Sequence, residues 1–206
     1  MQSLLMLEFN EELGYVLGTL YGDGGLNINL ENRSWVIRLR ATNYNFVEKF
    51  SITLAKVLRR NIHYKVSIEK SYKNDGCKRK TLYRTKGSSK EFVKWFLNLD
   101  EDKLRELLIM NKQVAVGFIK GFFDSEGSLS LKWGNIFMIN KKQWLLKMVK
   151  DILRVYFDVE SYLYKSIGKI SNFNPIPCEC WRLKISRPDV LRFVQIFGYE
   201  KGMKNA

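Results

Sequence analysis

The chain is poor in the residues that most zinc sites and histidine-dependent active sites require. It has one histidine, His63, and three cysteines, with no CxxC pair among them. No second histidine is therefore present to complete a zinc site, and the odd cysteine count is typical of reduced thiols in an intracellular protein.

Long apolar runs are also absent, so no segment is expected to span a bilayer. The start, MQSLLMLEFNEELGY, carries acidic residues and no basic ones, which argues against a secretory or organellar presequence. We therefore expect an intracellular protein of a prokaryotic cell, with an organelle that makes its own proteins as the alternative.

Acidic residues are few relative to basic ones. Lys and Arg number 35 against 21 Asp and Glu, a formal net charge of +14 and a pI near 9.7. Such an excess predicts a polyanionic partner, most often nucleic acid. An anionic membrane surface is the weaker alternative, because the basic residues lie in strand patterns as well as in helices.

Two halves of the sequence repeat one order of elements. LNINLENRSWVIRLR and SLSLKWGNIFMI both read as β-hairpins, the second with a tight turn at Gly134-Asn135. An amphipathic helix, two further strands and a last helix follow each hairpin. The sequence thus predicts an α+β fold of two pseudo-symmetric αββαββα halves, residues 1–98 and 112–206, joined by a helical connector at 99–111.

Small residues recur every four positions in the first helix of each half. They are Gly14, Gly18 and Gly22 in one helix, and Gly117, Gly121 and Ser125 in the other. Residues four apart share a helical face, and glycine inside a helix costs up to about 1 kcal/mol relative to alanine. We expect the two strips to pack on each other, backbone against backbone.

Each strip ends beside an acid, Asp23 after Gly22 and Glu126 after Ser125. Packing strip to strip would bring both carboxylates together at the helix C-termini, capped by Gly24-Gly25 and by Gly127, where the dipole disfavours anions. A divalent cation would offset this repulsion, and carboxylates with water and phosphate oxygens are typical Mg²⁺ ligands. Metal beside phosphate indicates phosphodiester hydrolysis by metal-assisted attack of water.

Either acid alone could simply cap a helix or pair with a lysine. Because an acid follows the last small residue of the strip in both halves, a shared metal site is favoured. Asp124 is different, because its counterpart in the first half is Tyr21, and we interpret it either as structural or as a residue that supports a metal ligand without binding the metal.

The stretches VLGTLYGDG, residues 16–24, and IKGFFDSEG, residues 119–127, resemble the LAGLIDADG motif. Both depart from its consensus in several letters but keep the packing glycine, the penultimate acid and the final glycine. With two motifs in register, the chain resembles a single-chain, two-motif LAGLIDADG homing endonuclease of the monomeric, intron-encoded kind.

This resemblance implies that the motif helices form a pseudo-twofold interface and that two antiparallel sheets form a saddle over the DNA major groove. Asp23 and Glu126 would bind metal, each serving one strand, with main-chain groups of Gly22 and Ser125 as further candidate ligands. It also implies double-strand cleavage of a long site with short 3′ overhangs. Mg²⁺ would be the cofactor, Mn²⁺ would substitute, and Ca²⁺ would bind without supporting efficient cleavage; no protein partner is required.

Further catalytic candidates follow from the family's pattern of a cation and an amide near the scissile phosphates. They are Lys86 and Lys184 near the end of the later strands, Asn43 and Asn140 after the first hairpins, and Lys141. Each lysine could instead be solvated, and each asparagine could be a helix cap.

Alternation along the strands predicts one polar face on each sheet for base reading. Trp35, Ile37 and Leu39, with Leu129, Leu131 and Trp133 in the second half, would face the helices. The outward candidates are Asn27, Asn29, Arg38, Arg40, Lys65, Ser67, Glu69, Arg84, Ser130, Lys132, Arg182 and Lys184. Such a face suits the major groove, although a sheet solvated on one side shows the same alternation.

The first hypothesis is therefore a divalent-metal-dependent, site-specific DNA endonuclease. An RNA-binding intron maturase without cleavage activity is the second, and a DNA-binding regulator that does not cut is the third. The retained pair of acids favours the nuclease, because binding alone needs no clustered carboxylates beside a polyanion.

Overall fold

Each half of the chain forms helix, two strands, helix, two strands, helix. The computed structural model describes residues 7–69, 81–130, 133–167 and 179–198. The first half contains α1 (Glu11–Tyr21), β1 (Gly25–Asn29), β2 (Ser34–Ala41), α2 (Tyr44–Val57), β3 (Ser67–Glu69), β4 (Leu82–Ser88) and α3 (Lys90–Leu97). After α4 (Glu101–Met110), the second contains α5 (Lys112–Glu126), β5 (Gly127–Ser130), β6 (Asn135–Asn140), α6 (Gln143–Phe157), β7 (Ser161–Ile167), β8 (Glu179–Ile185) and α7 (Arg187–Phe197). The predicted α+β fold with a duplicated order is confirmed.

The strands form two antiparallel four-stranded sheets with equivalent topology, β1-β2-β4-β3 and β5-β6-β8-β7. In the first sheet Arg38 lies between Gly25 and Lys86. In the second, Phe137 lies between Ser128 and Lys184. Lys86 and Lys184 thus occupy equivalent positions, and the register allows the two sheets to be compared residue by residue.

Helices α1 and α5 pack backbone to backbone along the strips of small residues, as predicted. A Cβ at Gly117 would overlap the carbonyl oxygen of Glu11 and lie 2.8 Å from the amide nitrogen of Tyr15. At Gly18 it would overlap the carbonyl oxygen of Phe118. Only glycine permits so close an approach at these positions, because any Cβ would push the helices apart.

The hydrophobic core lies around this helix pair and beneath both sheets. Ile37 and Leu39 of β2, with Met138 and Leu183 of the second sheet, are fully buried on the inner faces. The opposite face of each sheet is left uncovered by helices of the described residues. Within those residues no helix is both long and apolar enough to cross a membrane.

The two motif helices end differently. Helix α1 stops at Tyr21, and Gly22 is its C-cap, with its N–H directed at the carbonyls of Gly18 and Thr19. The expectation that Gly24-Gly25 would cap α1 was therefore wrong, because the chain leaves the helix at Gly22, beside Ser125 of α5. Gly127 does cap α5, so Glu126 is the last helical residue while Asp23 lies beyond its helix.

Asn43 and Asn140 do not hold equivalent positions. Asn43 is the N-cap of α2, and its Oδ1 accepts a hydrogen bond from the Phe46 amide at 3.2 Å. Asn140 is the last residue of β6, and Lys142 is the N-cap residue of α6. The prediction that both asparagines follow a hairpin holds for Asn43 alone, because β6 extends through Asn140.

We expect Gly117→Ala to destabilise the fold by about 3 kcal/mol, since overpacking against main chain cannot be relieved by a rotamer change. Gly25→Ala is the matched control, because its Cβ would lie 3.5 Å from its nearest neighbour, Arg38 Nε, an ordinary contact. Urea unfolding of both variants checks this. Equal free energies of unfolding would contradict the backbone-contact interpretation.

Asn43→Ala should lower the free energy of unfolding by about 1 kcal/mol, the usual value of a lost N-cap. Asn45→Ala, an exposed change in the first turn of the same helix, should shift it by less than about 0.5 kcal/mol. Denaturant unfolding under identical conditions measures both. A stable Asn43→Ala variant would show that the cap contributes nothing.

Candidate metal centre and nucleic-acid interface

The two motifs also contact each other at their ends, where Gly22 meets Ser125. A Cβ at Gly22 would lie 2.8 Å from Ser125 Oγ and 3.3 Å from Glu126 Cγ. Ser125 is buried, and its hydroxyl donates to the Gly121 carbonyl at 3.0 Å. The residue after each contact is an acid, Asp23 after Gly22 and Glu126 after Ser125, so both acids lie at the same end of the helix pair.

Glu126 opens into a cleft of about 530 Å³ beside the second sheet. Asn140 lies in this cleft and donates from Nδ2 to Glu126 Oε1 at 2.8 Å. Its own Oδ1 accepts from the Lys142 amide at 2.9 Å. One side chain thus orients the carboxylate and ties it to the start of α6.

Two lysines, Lys141 and Lys142, also line this cleft. The ammonium of Lys142 lies 5.8 Å from the ring centroids of both Tyr21 and Trp144, within cation–π range. Tyr21 donates to the Leu99 carbonyl at 3.1 Å. Burial, with a smaller contribution from the charge of Asp100, raises the pKa of Tyr21 to about 12, so this phenol stays protonated at neutral pH.

Asp23 opens into a second cleft, of about 460 Å³, beside the first sheet. Arg38, Arg40 and Arg84 line it together with Glu69, whose carboxylate lies 3.3 Å from Arg40 Nε. Gly24 borders both clefts. The two acids therefore look into adjoining clefts, one rich in arginine and the other in lysine.

The available ligands fit a hard divalent cation. Asp23 and Glu126 offer carboxylate oxygens, and Gly22 and Ser125 are the main-chain candidates beside them. Within the described parts of the chain, no three His, Cys, Asp or Glu residues are grouped to hold a metal ion. Such a site suits Mg²⁺ or Mn²⁺, which keep several waters and take substrate phosphate oxygens as ligands, and not a closed zinc site.

The structure separates the predicted lysines into two groups. Lys141 lies in the Glu126 cleft. Lys86 and Lys184 lie on the outer faces of β4 and β8 and are not among the residues that line either cleft. The sequence reasoning did not propose Lys142, although a lysine doublet at the start of a helix that follows the hairpin was visible.

The predicted polar face of the first sheet is present. Asn27, Arg38, Arg40, Lys65, Arg84 and Lys86 are exposed, and Ser67 and Glu69 are half-buried at the sheet edge. Asn29 differs, because its Oδ1 accepts from the Asn32 amide at 2.9 Å and so holds the hairpin turn. This contact leaves less of its amide available for base reading.

In the second sheet, Ser130, Arg182 and Lys184 are half-buried on the outer face. Lys132 and Leu131 lie outside the described residues. Trp133 is 63% exposed and lies outside β5 (Gly127–Ser130), so it does not face the helices as predicted.

Four apolar or aromatic side chains on the second outer face were missed by the sequence reasoning: Phe137, Ile139, Tyr162 and Tyr164. The alternation of SYLYKS contained the signal for the two tyrosines.

Asp124 has the structural role expected of it. Tyr15 donates its hydroxyl to Asp124 Oδ2 at 2.9 Å, and Lys49 Nζ lies 3.3 Å from the same oxygen. The lysine also lies 4.9 Å above the Tyr15 ring. This group joins α1, α2 and α5 away from the two clefts.

Comparison with known proteins identifies relatives. Residues 113–198 match the pattern of the LAGLIDADG-like domain. Uncharacterized protein MJ0314 of Methanocaldococcus jannaschii is 33% identical over 133 residues, 65% of this chain and 44% of that protein. Homing endonuclease I-DmoI of Desulfurococcus mucosus is 30% identical over 138 residues, 66% of this chain and 65% of the relative. The chain thus spans less than two thirds of either relative.

Solved structures share the fold across nearly the whole chain. I-DmoI in complex with DNA and Mn superposes with a TM-score of 0.63 at 21% identity, covering 95% of this chain and 100% of the other. Its complex with DNA and Ca gives 0.64 at 24% identity, with coverages of 92% and 90%. The N-terminal LAGLIDADG domain of DUF199/WhiA gives 0.59 at 17% identity, with coverages of 98% and 90%.

The duplicated motif helices, the acids at their adjoining ends and these matches agree. Residues 113–198 match the LAGLIDADG-like domain family, and the chain as a whole shares the fold of I-DmoI, with two motif helices in one chain.

Proposed function

We propose that the protein is a site-specific double-strand DNA endonuclease that uses a divalent metal ion to hydrolyse phosphodiesters. The observation that carries the proposal is the pair of acids at the meeting ends of α1 and α5. Each acid opens into a cleft that continues onto a sheet face bearing cations. The DUF199/WhiA domain has a related fold, so the proposal depends on these carboxylates and not on the fold alone.

The residues around the proposed metal site would have different roles. Asp23 and Glu126, with main-chain groups of Gly22 and Ser125 as further candidates, would hold the cation, whose chemistry is to polarise phosphate and activate water. Asn140 would keep the Glu126 carboxylate oriented, because it already donates to Oε1 at 2.8 Å. Asn43 would contribute through its helix cap only.

Cations around the clefts would stabilise charge on the phosphate groups. Arg38 is suited to this beside Asp23, and Lys141 and Lys142 beside Glu126, because they line the respective clefts. Lys86 and Lys184 would instead contact the backbone of the duplex from the outer faces of the sheets.

The substrate would be a long duplex site read by both sheets. Residues 1–98 and 112–206 would each cover half of it, with residues 99–111 as the connector, and a monomer would suffice. The outward residues of the first sheet are cationic, and the chain carries a formal charge of +14, which suits a saddle over a polyanion. Cleavage of both strands across the groove would leave short 3′ overhangs.

Mg²⁺ is the proposed cofactor, with Mn²⁺ as a substitute and Ca²⁺ binding without efficient cleavage. The relative I-DmoI has been crystallised with DNA and Mn and with DNA and Ca, which supports divalent metal use. The archaeal sources of the relatives support a prokaryotic cell as host, where an intron-encoded protein of this kind would act in homing.

We expect Asp23→Asn and Glu126→Gln each to abolish formation of linear double-strand product while leaving DNA affinity within about twofold. The amides keep the shape of the side chains but remove the charge that holds the cation. Cleavage is measured on a supercoiled plasmid that carries the target, because its nicked and linear products separate on a gel. Filter binding measures the affinity for DNA.

Asp151→Asn is the matched control, because this exposed carboxylate pairs with Arg105 far from both clefts. It should cut like the unsubstituted protein. Linear product at unchanged rate from both acid variants would contradict the proposed site.

The test of the proposed function is a cleavage selection on a random duplex library, run in parallel with Mg²⁺, Mn²⁺ and Ca²⁺. We expect one long consensus, cut with Mg²⁺ and Mn²⁺ and not with Ca²⁺, with matched 3′ overhangs in the sequenced ends. A folded protein that cuts nothing from a deep library would contradict it, and binding to structured intron RNA would then favour the maturase alternative.

A further inference from the structure

The two outer sheet faces differ at equivalent positions. Register aligns Arg38 of the first sheet with Phe137 of the second, each beside a lysine of the neighbouring strand. One row further, Arg40 pairs with Arg84, while Ile139 pairs with Arg182. At these equivalent positions β4 and β8 both carry cations. Strand β2 also carries cations there, whereas β6 carries apolar side chains.

The outward side chains of the edge strands β3 and β7 also differ at equivalent positions. Ser67 of β3 lies beside Arg84, whereas Tyr164 of β7 lies beside Arg182. Tyr162, the next outward residue of β7, lies beside Lys184. The second face therefore alternates cations with aromatic or aliphatic groups across these rows, whereas the first face carries arginine or serine at the equivalent positions.

These apolar side chains are not part of the hydrophobic core. Phe137 and Ile139 are half-buried and lie outside the core cluster of the described residues. Tyr162 is 63% exposed and Tyr164 is 39% exposed. No described helix covers this face, so the fold itself gives no reason for the replacement.

We infer that the second sheet reads its half of the DNA site through thymine 5-methyl groups, whereas the first sheet reads through charged contacts to guanine and phosphate. The inference rests on the proposed DNA substrate and names the chemistry of its two halves. In the major groove the 5-methyl of thymine is the apolar group that a base edge presents, and arginine and lysine pair with guanine.

Stacking on unpaired RNA bases is the other use of exposed aromatic side chains. The duplex is favoured here because Phe137 and Ile139 are only half exposed in the middle of the sheet. They can offer an edge to a methyl group, but a flat base could stack fully only on the tyrosines at the rim.

The experiment is a binding selection, so that its result does not depend on cutting. The Asp23→Asn, Glu126→Gln double variant, added to a random duplex library, selects a preferred site. Duplexes of that site are then made with deoxyuridine in place of thymidine in one half or the other, which removes the methyl and keeps the base pairing. Affinity is measured for each.

We expect uracil in one half to weaken binding about fourfold for each contacted methyl, the value of one buried methyl group, and uracil in the other half to have little effect. Adding Phe137→Ala or Tyr162→Ala should remove this sensitivity, whereas Arg38→Ala at the matching position should retain it. Tyr162→Ala is the safer of the two for folding, because that side chain is mostly exposed.

Equal uracil sensitivity in both halves, or sensitivity that persists in both the Phe137→Ala and Tyr162→Ala backgrounds, would overturn the inference and leave the endonuclease proposal standing. Failure to retain any duplex, or stronger binding to single-stranded RNA than to duplex DNA, would overturn both.

Discussion

The structure depends on the direct contact of two helix backbones. Helices α1 and α5 approach so closely that a Cβ at Gly18 or Gly117 would overlap main-chain oxygen of the opposite helix. Glycine inside a helix costs up to about 1 kcal/mol at each position, and burial of side chains such as Leu17 and Phe118 around the contact offsets it. The arrangement of both halves follows from this contact, because each sheet and its helices pack against one member of the pair.

The contact also determines where the acids lie. Glu126 is held by the last turn of α5, and Asn140 fixes its carboxylate from β6. Asp23 lies past the Gly22 cap, where backbone geometry and not helix phase sets its direction. The two acids therefore lie at the same end of the interface, but Glu126 is helical and Asp23 is not. They open into clefts that are lined by different cations.

Most of the fold could be predicted because its signals are local and occur twice. Four-residue spacing, strand alternation and turn residues depend only on residues that are close in the sequence. Because the two halves repeat, each helix or strand predicted in one half could be compared with its equivalent in the other. The place of Glu126 at the end of α5 followed from helix phase, whereas the direction of Asp23, which lies beyond its helix, did not. What could not be predicted depends on tertiary contact: the cap at Gly22, the bond from Asn140 to Glu126 and the place of Lys142 between Tyr21 and Trp144.

The two halves are alike where they touch and unlike where they face outward. At the helix interface both helices must carry small residues, because a Cβ added to either α1 or α5 would push the two helices apart. On the outer faces no described element packs, so Arg38 and Phe137 can occupy equivalent positions without strain. A duplicated fold therefore preserves symmetry only where packing enforces it, and the uncovered faces are free to diverge, as the proposed recognition of two different half-sites would require.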